Sequence, residues 1–315
     1  MLRGLGRVAS LAIVLAFAAG LAGCSQYGML KAKQAFKEAN VLYAQQEYTR
    51  AAALYEEAIA HDPELSVAYF YLANSYDNMF KPSRKGEPEN DGYLTKAIEY
   101  YTKASEKEQD PTLRKRSFEF LVAAYGPDKM NDPSQQEPIV NRMIQLDPQD
   151  ASNYFALAKI REDAGDYEKA EEVLLQSKQA RPNDPQVYLQ LAGFYNRQEE
   201  FEKTIEALNQ RAAIEPNNPE AFYTISTYYW DKAYRDFRLK EPEKKEFVLK
   251  GIEEVDKALQ LKPDYMEALT YKNLLLRLQA NLEKDPAKQN ALLKEADKLR
   301  DQALDLQKKQ AAGIR

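Results

Sequence analysis

Bulky, small and polar positions recur along this chain with a long period. Asp147-Pro148, Arg181-Pro182 and Glu215-Pro216 are 34 residues apart, and so are Tyr154, Tyr188 and Phe222, and Leu157, Leu191 and Ile225. Small residues keep the same step at Ala158, Ala192 and Ser226, and at Ala170 and Thr204, as do Tyr167 and Phe201, and Leu174 and Leu208. Within each period the apolar positions fall at helical spacing. Gly165-Asp166 marks a turn between two helices, and each proline ends the second helix. Two antiparallel helices approach closely only where side chains are small, and aromatic rings then fill the gap to the next pair.

The same spacing appears early in the chain. Ala39, Tyr48, Ala51, Tyr55, Ala58 and Pro63 are separated by 9, 3, 4, 3 and 5 residues, as are Ala158, Tyr167, Ala170, Leu174, Ser177 and Pro182. Two repeats are interrupted between their helices. After Ala73 the Ala97, Tyr101, Ala104 series begins 24 positions on instead of twelve, and the extra stretch Lys81-Pro82-Ser83-Arg84-Lys85-Gly86-Glu87-Pro88 reads as a solvated loop near 80–93. After Ser226 the extra length near 231–250 reads as helical, with the first helix extended towards Phe237 and the second starting near Pro242, so that a hairpin projects. The unit from Thr112 to Pro148 is degenerate and breaks at Gly126-Pro127. A last pair, Tyr265 to Leu282 and Ala287 to Lys308, puts Leu292, Leu293, Ala296, Leu299 and Ala303 on one face, as a capping helix requires.

This pattern resembles the tetratricopeptide repeat. The resemblance implies an all-α fold, a right-handed superhelical solenoid of six to seven helix pairs over residues 33–310 with a C-terminal capping helix and a short tail, 311–315. It also implies a concave groove lined by the first helix of each pair, where proteins or peptides bind. Lining positions carried over are Phe36, Asn40 and Tyr43, then Phe70, Asn74 and Asp77, then Phe155, Lys159 and Glu162, then Leu189 and Asn196, and finally Tyr223, Thr227 and Trp230. Asn40 and Asn74 resemble the asparagines of family members that clamp a carboxylate, but the lysine such a clamp needs is replaced by Phe36. The densest aromatic run is Phe222, Tyr223, Tyr228, Tyr229, Trp230, Tyr234 and Phe237. Trp230, Tyr234 and Phe237 exceed what repeat packing needs, which makes them the first place to expect a contact surface.

Composition narrows the function. Five of the 12 glycines precede residue 30, and helix formers fill the rest. A net charge of −5 with both signs interleaved is unsuited to nucleic acid. The chain has one cysteine, Cys24, and one histidine, His61, so neither a disulfide nor a conventional zinc site nor a histidine-based catalytic group has its residues. Neither a Gly-rich phosphate loop nor a metalloprotease or serine-elbow motif is present. No catalysis, cofactor, metal or small-molecule substrate is expected.

The N-terminus adds a location. Arg3 and Arg7 precede an uncharged stretch from Val8 to Ala22, the form of a secretion signal. Its fifteen residues would span only about 22 Å as helix, short of the ~30 Å hydrocarbon core. Leu21-Ala22-Gly23-Cys24 resembles the lipobox of bacterial lipoproteins. That implies a leader at 1–23, acylation of Cys24 and a short linker at 24–32. Ser25, in place of the aspartate that retains such proteins at the inner membrane, implies the periplasmic face of the outer membrane. The expected function is a membrane-anchored scaffold or assembly factor of the bacterial envelope, with an accessory lipoprotein of the pilotin or outer-membrane-assembly type as the alternative.

Overall fold

The computed structural model describes residues 26–313; Cys24 and the leader lie outside the described residues. Within them the chain is helical and without strands. The first helix, α1, covers residues 26–44. It is followed by α2 (Tyr48–His61), α3 (Ser66–Met79), α4 (Pro88–Lys107), α5 (Pro111–Ala124), α6 (Pro133–Leu146) and α7 (Ala151–Asp163). These form a first compact unit, and a second begins at Asp166. It contains α8 (Tyr167–Ala180), α9 (Pro185–Arg197), α10 (Phe201–Ile214), α11 (Pro219–Arg235), α12 (Glu241–Leu261), α13 (Met266–Leu282) and α14 (Pro286–Ala311). None of the described helices is long and apolar enough to cross a membrane.

Starts and stops follow the repeat. Asp110, Asp150, Asp184, Asn218 and Asp285 each accept a hydrogen bond from a backbone N–H of the helix they precede, satisfying donors that have no partner inside the helix. At three of the repeat prolines a tyrosine six positions on closes the turn. The hydroxyls of Tyr69, Tyr154 and Tyr188 donate to the carbonyls of Pro63, Pro148 and Pro182 at 3.0, 3.1 and 2.7 Å. The recurring Pro–Tyr step is therefore a hydrogen-bonded turn as well as a packing position.

In the first unit, Tyr55, Leu72, Ala97 and Tyr101 are fully buried in a core shared by α2, α3 and α4. In the second, Val248, Val255, Ala258 and Leu275 fill the space between α12 and α13, while Leu292, Ala296, Leu299 and Ala303 of α14 cover Leu269 and Leu276. Helix α6 buries only Val140 and Met143 and contains Pro138, consistent with the degenerate repeat there.

Three boundaries differ from the sequence reading. Residues 26–32, expected as linker, are helical, because Gly28, Ala32, Ala35 and Ala39 form a continuous small-residue seam with Ala32, Ala35 and Ala39 buried. The insert near 80–93 lies outside the α-helices only over residues 80–87, where Pro82–Arg84 form a short 3-10 turn. Pro88 starts α4 early because proline fits a first helical turn, and the irregular part is pinned. Phe80 is buried against Leu94 and Ala124, and the Asn90 amide both accepts from the Lys81 N–H and donates to its carbonyl. At the C-terminus α14 runs to Ala311, one residue into the expected tail. The second insert is mainly helix: α11 has 17 residues and α12 has 21, against 13 and 14 for α9 and α10.

Candidate functional site

Helices α11 and α13, the first helices of two successive pairs, carry a strip of rings. Tyr223, Thr227, Trp230 and Tyr234 follow one another at steps of four, three and four, which puts them on one face of α11. Trp230 and Tyr234 stack at 5.0 Å and 10°. Trp230 also meets Tyr271 of α13 edge-on at 5.5 Å, and Tyr271 meets Tyr223 in the same way at 5.4 Å. Tyr265 completes the strip at 5.2 Å from Tyr223. Tyr223, Trp230 and Tyr265 pack partly buried on the α12–α13 core, whereas Tyr234 is 60% exposed. Burial, with Tyr271 and Tyr265 beside it, pushes the Tyr223 hydroxyl up to about 12. These rings are held against one another from two helices. Such surfaces supply large contact area at small entropic cost.

Phe237 is elsewhere. It follows the end of α11, is 91% exposed, and with Asn196, Phe201 and Tyr228 borders a cavity of about 510 Å³. The rest of that cavity is charged but balanced internally: Arg235 pairs with Asp231 at 2.7 Å, and Lys232 and Arg238 both pair with Asp236 at 2.9 Å. Hydrogen bonds from Arg238 and Lys232 hold the Asp236 carboxyl well below the usual carboxylate range. The aromatic run of the sequence thus divides, with Tyr228 and Phe237 at the cavity, beside Asn196, and the strip elsewhere. Leu189, which precedes Tyr223 by one repeat, is half-buried on α9.

In the first unit, expected groove positions are occupied by the protein's own side chains. Phe70 is buried, in ring contact with Tyr71, Tyr101 and Phe120. Asn74 is buried too: its amide oxygen accepts from the Tyr43 hydroxyl, and its nitrogen donates to the Tyr101 hydroxyl at 3.0 Å. Asp77 is ion-paired with Lys129 and sits beneath the Tyr101 hydroxyl. Asn40 accepts from Tyr55 at 2.7 Å. Phe36 and Tyr43 remain half-buried in a tyrosine cluster. On α7, Phe155 and Glu162 are half-buried, and exposed Lys159 pairs with Asp163. Among the described residues no cluster of three or more His, Cys, Asp or Glu could hold a metal ion.

Residues 154–188 match the family model of the tetratricopeptide repeat. Over this stretch the chain carries a tetratricopeptide repeat. Among solved structures, the C-terminal part of a TPR repeat-containing protein from Cytophaga hutchinsonii superposes with a TM-score of 0.54 at 15% identity, over 86% of this chain and 98% of that one. It shows the fold. MamA has a TM-score of 0.42 at 20% identity over 65% of this chain and 99% of its own. YrrB, described as a TPR protein with an unusual peptide-binding site, has a TM-score of 0.39 at 19% identity, with 60% and 89% covered. No curated protein matches the chain by sequence.

Tetratricopeptide repeats are a protein-interaction architecture. The repeat register places the strip on first helices, the side on which such arrays bind extended segments. It also corrects the groove of the first unit. Phe70 and Asn74, expected to line it, are buried because Tyr43, Tyr101 and Phe120 from neighbouring helices fill the space above them. The side-chain oxygens of Asn40 and Asn74 both accept from tyrosine hydroxyls, and the Asn74 nitrogen donates to Tyr101, so Asn74 is committed to the core on both sides of its amide. Tyr265 and Tyr271 were missed at the sequence level. The available signal was register: Tyr271 lies eight residues after Pro263, as Tyr71 lies eight after Pro63.

Proposed function

We propose that this protein is a lipid-anchored scaffold of the bacterial envelope that holds an extended segment of a partner protein against the aromatic strip of α11 and α13. The observation that carries this reading is the Tyr234–Trp230–Tyr271–Tyr223 run of ring contacts, in which rings from two first helices pack on each other and leave Tyr234 open to solvent. An apolar side chain of the partner inserts beside Trp230, while Thr227 on the same face lies within the strip. Anchor aromatics of this kind contribute about 2 kcal/mol or more, roughly a thirtyfold change in affinity. The scaffold is non-catalytic, and its role is to bring the partner to a membrane.

The anchor rests on Leu21-Ala22-Gly23-Cys24 and the charged, then apolar, leader before it. Two or three acyl chains on Cys24 hold a protein to a bilayer in effect permanently, since each buried methylene contributes about 0.8 kcal/mol. With Ser25 next in sequence, the outer membrane's periplasmic face is the location. Cys24→Ala is expected to abolish incorporation of labelled fatty acid and release the protein from membranes; label retained by the variant refutes the anchor. Trp230→Asp with Tyr234→Asp is expected to abolish recovery of crosslinked partners with helicity intact. Unchanged recovery refutes the strip as the contact surface.

A further inference from the structure

Helix α1 has two faces with different jobs. Gly28, Ala32, Ala35 and Ala39 face the body, and the fit there is tight at the tip: a Cβ on Gly28 would lie 2.9 Å from the carbonyl oxygen of His61, at the end of α2. The first turn of α1 is therefore fixed against α2 and carries its outward residues in a set orientation. Those residues are apolar where a helix end would ordinarily be polar. Leu30 is 66% exposed, Tyr27 61%, and Met29 is exposed as well. Directly behind them come Lys31, Lys33 and Lys37, none of them paired with a carboxylate among the described residues. Lys31 instead lies over the Tyr27 ring at 5.0 Å. The one acid of the helix, Glu38, accepts from Gln34. In a chain of net charge −5, α1 carries three lysines against one glutamate.

We propose that the outward face of α1 is a membrane-contact surface, with Tyr27, Met29 and Leu30 set into the headgroup region of a bilayer and Lys31, Lys33 and Lys37 on its anionic phosphates. The inference rests on the anchor reading for its choice of occupant. Gln26 is two residues from Cys24, so the start of the helix lies within about 7 Å of the acylated residue. At that range an exposed Leu and Tyr cannot avoid the interface, where an aromatic ring with a polar tip and lysines with long apolar stems are well accommodated. Because Gly28 fixes α1 to α2, contact along this face sets the attitude of the first repeats to the membrane, which a flexible tether at Cys24 would leave free.

The test uses the full-length acylated protein in vesicles of phosphatidylethanolamine and phosphatidylglycerol, spin-labelled at Leu30→Cys or, as control, at Leu304→Cys on α14, where the native residue is also exposed. The label at 30 is expected to collide preferentially with dissolved oxygen over a water-soluble nickel chelate, and the label at 304 is expected to show the reverse. A label at 30 as water-exposed as that at 304 overturns the proposal. A second arm separates this from the anchor. The mature Cys24→Ser chain, unacylated, is expected to sediment with the same vesicles at millimolar lipid, and to lose roughly fivefold in partitioning for each of Lys31→Gln, Lys33→Gln and Lys37→Gln. Absence of sedimentation, or identical partitioning of parent and triple variant, overturns it. Failure of Cys24 to take up fatty acid would reject the anchor while leaving this second result to stand or fall by itself.

Discussion

Two helical glycines should respond to alanine with opposite signs. Gly92 lies in α4 with nothing within 4 Å of where a Cβ would be, whereas a Cβ on Gly251 of α12 would meet Leu275 Cδ2 at 2.9 Å, Tyr229 Cβ at 3.2 Å and Leu275 Cδ1 at 3.3 Å. In each case alanine gains about 1 kcal/mol of helix propensity. At Gly92 nothing opposes that gain. At Gly251 the Tyr229 Cβ cannot swing away, and Leu275 is fully buried in the α12–α13 core, so overpacking of about 1–3 kcal/mol is added. Gly92→Ala should therefore raise stability by about 1 kcal/mol and Gly251→Ala lower it by about 1 kcal/mol, read from urea unfolding followed by far-ultraviolet circular dichroism. Leu275→Ala should cost less in the Gly251→Ala background than in the parent, because the methyls it removes are those in contact. Equal stabilisation by both alanines would refute the close approach of α12 to α11 that positions Trp230.

Further outcomes follow from hydrogen bonds and titration. Asn74→Ala removes the acceptor of the Tyr43 hydroxyl and leaves Tyr101 only its 3.5 Å contact with Asp77, and should cost about 2 kcal/mol, measured by thermal melting. Asp150 caps α7 and pairs with Lys115; burial pushes its carboxyl up, but hydrogen bonds from Lys115 and Ser152 outweigh it and leave the carboxyl below its ordinary value. The stability it contributes is present above the unfolded carboxyl range and is lost as pH falls through the folded value, so Asp150→Ala should lose about 1 kcal/mol at neutral pH and show a flatter acid limb. Tyr223, raised to about 12, works the other way: its contribution is complete below about pH 10 and is lost as pH rises towards 12. Absorbance titration at 295 nm should lose a step near pH 12 in Tyr223→Phe, and a step unchanged there would contradict the burial of that ring.

The repeat was legible because its spacing is a packing requirement. Small residues at Ala51, Ala97, Ala170 and Gly251 sit where helices touch, and the prolines stop helices whatever surrounds them. Boundaries read less well where two rules competed. Pro88 closes a polar, turn-rich stretch and so looked like loop, yet a proline at a first helical turn extends α4 backwards. Of the site, Tyr223, Thr227 and Trp230 were legible from the repeat register, and Tyr234 as an aromatic beyond what repeat packing needs. What spacing along one helix cannot report is who stands opposite. Phe70 and Asn74 occupy groove positions but are covered by tyrosines from other helices, and Tyr271 joins the strip from 41 residues beyond Trp230. Phe237 belonged to the same run in sequence, but α11 ends at Arg235 and the chain turns away before it.

Photocrosslinking in cells asks whether the strip of α11 and α13 holds a partner protein. A benzoylphenylalanine at Tyr234 is compared with one at Leu304 on α14, each with and without Trp230→Ala. A discrete protein adduct is expected at 234, absent at 304 and lost when Trp230 is removed. No adduct at 234, or the same adducts at both positions irrespective of Trp230, would contradict it.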